Sequence, residues 1–171
     1  MIVAGLDLSI NSSGITIRTE NDEYKYIIVT SKMTKNLKSN TNKSLKIIEY
    51  NKSDDKDNNI HQIATLILGE LKHYKVKQVV IEDVALGAIH SRSLIDLTGL
   101  NYYVRCLLKE NNIDYITVPP TLWKKVMLAN GQATKDIITD AFKRITKFES
   151  EVKKLDDVAD SYFLCNFYIQ N

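Results

Sequence analysis

Four carboxylates stand where apolar side chains would be expected. Asp7 interrupts the aliphatic run at 2–8, and Glu82 interrupts Val79-Val80-Ile81-Glu82. Asp157 and Asp160 open a C-terminal segment that is otherwise apolar around much of its circumference (Val158, Ala159, Tyr162, Phe163, Leu164, Phe167). At i and i+3 on a helix, these two carboxylates project from one face. A buried carboxylate is costly unless it is paired, hydrogen-bonded or bound to a metal. One shared site for a hard cation explains all four together. Ligands made only of oxygen suit Mg²⁺ or Mn²⁺, and no soft set competes: Cys106 and Cys165 lie far apart, without CxxC or Cys/His spacing.

Each carboxylate also has a purely structural reading. Asp7 can cap a turn through Ser9 or Asn11. Glu82 can be a solvated strand end, with Asp83 equally able to face a site. Asp156 is expected as the N-cap of the last helix, and Asp157 can serve the helix dipole alone. Taken singly each is plausible; their coincidence favours the shared site.

Basic residues gather in two segments. Residues 117–147 hold six Lys/Arg against two Asp, and residues 31–52 hold six Lys against one Glu. In the first, Lys124, Lys125 and Lys135 flank a tight turn at Gly131, beside the carboxylate helix, which suits contact with phosphates. In the second, a solvated face and a binding role stand level. The overall charge of +2 excludes a uniformly basic, histone-like binder but not nucleic acid, because a partner feels the local potential.

The elements that must position these groups follow from periodicity. Residues 2–8, 15–18 and 24–30 read as three strands in a meander. Residues 31–59 turn polar; only 45–50 can form a strand there, and a solvated connection is the favoured expectation. Helices are predicted over 61–73, 93–109, 134–146 and 157–169, with a basic helix opened by Pro119-Pro120. Strands are predicted at 77–84 and 114–118, the first apolar on both faces as in a parallel sheet. The result is an α/β chain of 171 residues in a single domain, with a mixed central sheet. A signal peptide and a membrane helix are not expected, so the reading is a soluble protein in a reducing compartment.

Gly5-Leu6-Asp7-Leu8-Ser9 with Gly14, Val80-Ile81-Glu82, the 120–135 segment and Asp157-Val158-Ala159-Asp160 occur in an order that resembles the RuvC-type Holliday junction resolvases of the RNase H-like superfamily. The resemblance covers nearly the whole chain, 1–171, apart from the polar insertion at 31–59. It implies an RNase H-like fold: a three-strand meander plus parallel strands, flanked by helices. It also implies a homodimeric, metal-dependent endonuclease that nicks four-way DNA junctions symmetrically, in recombination, repair or genome processing. The implied location is the cytoplasm of a bacterial or virus-infected cell. Carried over by position, Asp7, Glu82, Asp157 and Asp160 are the catalytic metal ligands, for two Mg²⁺ with Mn²⁺ as substitute. Lys124 and Lys135 match the functional lysines on the DNA side, joined by Lys125.

Two features depart from that family. The aromatic residue that usually follows the second carboxylate is missing from Val84-Ala85-Leu86-Gly87-Ala88, which turns attention to Tyr102 or Tyr103 for opening the junction. The 31–59 insertion is long and polar. Residues 93–109 are expected to supply either a dimer face or core. The rival expectations are an RNase H-like nuclease acting on RNA, hybrid or other branched DNA, and a junction-binding protein that does not cut. An actin-like phosphotransferase lacks room for its second lobe in one small domain.

Overall fold

Alternation along the first strand sets the layering. Val3 joins the apolar cluster on one face of the sheet, whereas Ala4, Leu6 and Leu8 join the cluster on the other. Asp7, two residues beyond Gly5, therefore shares the face of Val3. The computed structural model describes residues 1–32, 44–84, 92–148 and 154–170. β1 (Val3–Asp7), β2 (Ser12–Arg18) and β3 (Tyr24–Thr30) form the expected antiparallel meander. They are followed by β4 (Leu45–Glu49), α1 (Lys56–His73), β5 (Gln78–Glu82), α2 (Arg92–Glu110) and β6 (Asp114–Val118). The chain ends with α3 (Pro120–Leu128), α4 (Lys135–Thr146) and α5 (Leu155–Gln170).

The described strands make one mixed sheet in the order β4-β3-β2-β1-β5-β6, with parallel pairing of β1 to β5, β5 to β6 and β3 to β4. One face packs on α1 and α2 through Ile15, Ile63, Ile67, Leu100 and Val104. The other packs on α3, α4 and α5 through Val80, Trp123, Phe142 and Phe163. The last helix is apolar around most of its circumference because it lies between the sheet and α3 and α4.

Two glycines let α5 come that close. A Cβ on Gly5 would sit 2.1 Å from the Ser161 carbonyl, and one on Gly14 would sit 2.0 Å from the Asp157 carbonyl. Both are incompatible with any side chain. The contact is sealed by Thr16 and Ser161, whose hydroxyls lie 2.8 Å apart in the buried interface.

The structure departs from the sequence reading in four places. Among the described residues, the polar 31–59 stretch follows the edge-strand option and not the favoured plain connection. It contributes edge strand β4, with Leu45 and the following Tyr50 both 3% exposed, because alternation in Leu45-Lys46-Ile47-Ile48 suffices to dock on β3. Helix α1 begins at Lys56, earlier than predicted, since the Asp55 carboxylate accepts hydrogen bonds from the amides of Asp57 (2.9 Å) and Asn58 (3.2 Å). Asp156 is not an N-cap: α5 starts at Leu155, and Asp156 in its first turn accepts a bond from Lys135 instead. The turn after α3 is closed by Ala129, in the left-handed region at φ 54°, whereas no described glycine has positive φ. Gly131 serves close approach, since a Cβ there would lie 3.0 Å from the Thr121 carbonyl. The stretch at 85–88 and Lys35, Lys38 and Lys43 of the 31–52 segment lie outside the described residues.

Candidate active site

Parallel pairing of β1 and β5 in the register Gly5↔Val80 and Leu6↔Ile81 brings Asp7 and Glu82 to adjacent strand ends on the same face. This is the carboxyl edge of parallel strands, where α/β sheets place ligands. Asp157 and Asp160 descend onto it from the first turns of α5, with Gly14 opposite Asp7 in the β1–β2 pair making room for Asp157. The strand-end residues differ in their partners. Asp83 accepts a bond from the Val84 amide (2.9 Å), and Asn101 Nδ2 donates to the Glu82 carbonyl (3.1 Å). The turn after β1 is closed by Ser13, whose hydroxyl accepts from the Ser9 amide at 3.0 Å, so Asp7 is not its cap.

The electrostatics are those of like charges forced together. Burial, then repulsion from Asp160, Glu82 and Asp157, pushes the Asp7 carboxyl well above the ordinary range. Burial, then Glu82, pushes Asp160 up to about 7, against the pull of Lys124 and Lys135. Burial raises Asp157 to about 6, with Asp156 adding and Lys135 and Lys154 opposing. Burial also raises Glu82, opposed by a hydrogen bond from Trp123 and by the two lysines. The Asp160 Oδ1 atom is buried with no hydrogen-bond partner. Among the described residues, no three Asp, Glu, His or Cys side chains are already drawn onto a single coordination point. An orphaned buried carboxylate oxygen, within a set of four acids and no soft donor, fits a hard divalent cation.

Residues 1–171 match the family described as Poxvirus A22 protein. The chain belongs to the Poxvirus A22 protein family. Among solved structures, Thermus thermophilus RuvC matches with a TM-score of 0.67 at 16% identity, covering 99% of this chain and 96% of that one. T. thermophilus RuvC in complex with Holliday junction substrate gives a TM-score of 0.63 at 14% identity, covering 99% and 95%. The yeast mitochondrial Holliday junction resolvase gives 0.56 at 14% identity, covering 98% of this chain and 77% of that chain. These likenesses show the fold of the A22-family chain, the RNase H-like fold of RuvC-type proteins. No curated protein sequence matches it.

The lysines divide. Lys135 Nζ lies 2.6 Å from Asp156 Oδ2 and is held protonated by that bond, with Asp157 and Asp160 adding. Lys124 stands 5.4 Å from the centre of the Trp123 ring and acts on both Glu82 and Asp160. Lys125, the next residue along α3, is exposed.

Three residues of this site went unnoticed in the sequence. Trp123, fully buried and stacked near-parallel on Phe163, donates Nε1–H to Glu82 Oε1 at 3.3 Å. Its signal was available: the single Trp of the chain, one residue before Lys124. Lys154 donates to the Thr30 hydroxyl (2.8 Å) and the Asn11 carbonyl (3.3 Å) beside Asp157. Asn101 is buried on α2 beneath Glu82 and left no pattern to read. Of the tyrosines, Tyr103 is bonded to His61 across α1 and α2 at 3.0 Å, whereas Tyr102 is 58% exposed with the Arg105 guanidinium 4.7 Å over its ring. The helix that carries them, α2, buries Leu100, Val104 and Leu108 as core.

Proposed function

We propose that this A22-family chain is a structure-selective endonuclease that hydrolyses phosphodiester bonds at four-way DNA junctions. The observation that carries this reading is the gathering of Asp7, Glu82, Asp157 and Asp160 at one sheet edge, with Lys124 and Lys135 beside them. The four carboxylates would hold Mg²⁺, with Mn²⁺ as a substitute and two ions per site. Such ions, when bound, would supply activation of a water nucleophile and charge stabilisation at the leaving 3′-oxygen. Glu82 is oriented by the Trp123 N–H, and Asp7 is fixed by the β1–β2 and β1–β5 pairings. Lys124 and Lys135 draw the anionic backbone toward the acids and offset the charge that the acids present to phosphate. Membership of a viral family and two cysteines without a disulfide agree with the cytoplasm of an infected cell.

One protomer holds one such site, so paired incision calls for a two-fold dimer matching the symmetry of the junction. Incubation of the protein with synthetic four-way junctions, plain duplex, RNA–DNA hybrid and Mg²⁺ tests the reading. Paired nicks near the branch point, lost in chelator and in Asp7→Asn, are expected. Preferential cutting of hybrid, tight junction binding without cleavage in any divalent metal, or normal cutting by Asp7→Asn would falsify it.

A further inference from the structure

A cavity of about 460 Å³ opens beyond the carboxyl end of β1, on the side of the α1–α2 layer. Lys124 and Lys135 approach the acids from the opposite layer. The cavity is walled by the turn after β1 (Ile10, Asn11), the segment leading into α1 (Ser53, Asn59) and the first turns of α2 (Ser93, Leu97). Its size suits a small molecular group, within the usual range for ligand sites.

The chemistry of the walls narrows the occupant. Lys52 and Lys56 are balanced at its rim by Asp54 and Asp96, and Lys56 is tied to Asp96 at 2.6 Å. Among the described residues, the balance gives no excess positive charge for a phosphate. Ile10 and Leu97 offer apolar surface for the faces of a ring, and the Asn and Ser groups suit its polar edge. The walls are preformed. Asn59, buried, accepts from the Ser53 amide (2.9 Å) and donates to the Ser53 carbonyl (2.8 Å). Asn11 is held through its carbonyl by Thr30 and Lys154 and through Oδ1 by Lys52 at 3.1 Å. Its Nδ2 amide has no partner among the described residues. Ser9, at the cavity's inner wall, is two residues past Asp7, a separation of at most roughly 7 Å along the chain.

We infer that this cavity receives one unpaired nucleobase of the DNA substrate, from a nucleotide next to the phosphodiester held at Asp7. A neutral ring with two apolar faces and a hydrogen-bonding edge matches the walls, and bases taken out of a stack are bound in this manner. Such a pocket would hold the branch point open from the α1–α2 side. The inference rests on the endonuclease reading above.

The test uses four-way junctions carrying a single abasic nucleotide at each position within three of the cleavage point. Wild-type protein is expected to lose about tenfold in kcat/KM at one such position, the effect of roughly 50 Å² of apolar base surface left unburied. Ser93→Trp, which fills the cavity from an exposed position, should cut the intact junction that slowly and suffer no further loss from the abasic nucleotide. Ser93→Ala should keep the wild-type pattern, and Asn11→Ala should lose it, which decides the matter if Ser93→Trp fails to fold. An abasic penalty of equal size in wild type, Ser93→Trp and Asn11→Ala overturns the inference, as does the lack of any sensitive position. Failure of wild type to cut any junction is seen before a variant is made; it removes the endonuclease reading and this inference with it.

Discussion

Trp123 illustrates how a side chain outside the acidic set governs it. Its indole donates to Glu82 Oε1 and thereby counters the rise that burial imposes on that carboxyl. Trp123→Phe keeps the ring against Phe163 but removes the donor. The expected result is a loss of roughly tenfold in kcat, of the size seen when groups supporting metal ligands are removed. The acid limb of the pH–rate profile should also move to higher pH, because Glu82 then holds its proton longer. A lowered melting temperature with an unmoved pH profile would assign Trp123 to packing alone. Lys135 poses a different case, since it is already bonded to Asp156. Lys135→Ala should weaken junction binding and make its salt dependence shallower by about one ion. An unchanged slope in a salt titration would mean that this lysine serves Asp156 and not phosphate.

The pairing of α5 with the meander is the arrangement most exposed to a single added methyl group. Gly14 faces the Asp157 carbonyl at a distance that leaves no space for Cβ, and the obstacle is helix backbone, which cannot swing aside. Gly14→Ala should therefore destabilise the fold by about 3 kcal/mol or more, at the upper end of overpacking effects. It should also displace Asp157, so that any folded fraction cleaves poorly. Denaturant unfolding monitored by Trp123 fluorescence checks the first expectation, and a midpoint equal to wild type would show that α5 can lift from β2. Gly69 provides the contrast: a Cβ there meets nothing within 4 Å, so Gly69→Ala in the middle of α1 should be neutral or stabilising.

Across the molecule, the cluster of raised carboxyls links acidity to stability. Asp157 and Asp160 hold protons in the folded state up to about pH 6 and 7, whereas free Asp releases them near 3.8. Between those limits the folded protein binds more protons than the unfolded chain, so its stability falls as pH rises. In chelator, the melting temperature should drop from pH 5 to pH 8, and Asp160→Asn should flatten that drop. Mg²⁺ should restore stability at pH 8, since it binds the ionised acids of the folded state alone. A chelated protein whose melting temperature climbs steadily to pH 8 would mean that these carboxyls are not crowded together. The near-neutral sum of +2 conceals this arrangement: acids are concentrated at one sheet edge, and lysines approach it from α3 and α4.

Much of this was legible in the one-dimensional pattern. Short apolar runs placed Asp7 and Glu82 in strands, and i, i+3 spacing placed Asp157 and Asp160 on one helical face, because these properties depend on neighbours a few residues away. Asp55 shows the limit of even local reading: its cap lay inside a polar stretch whose composition argued for a solvated connection. The remaining features join residues far apart in sequence. That Asp156 pairs with Lys135, that Trp123 reaches Glu82, and that Asn11, Asn59 and Leu97 wall one cavity follow from how α3, α4 and α5 stack on one face and α1 and α2 on the other. The chain alone specified which groups carry charge and which elements hold them. Only the packing of the layers decided which of them meet, because sheet register and helix seating set those distances and no short-range pattern encodes them.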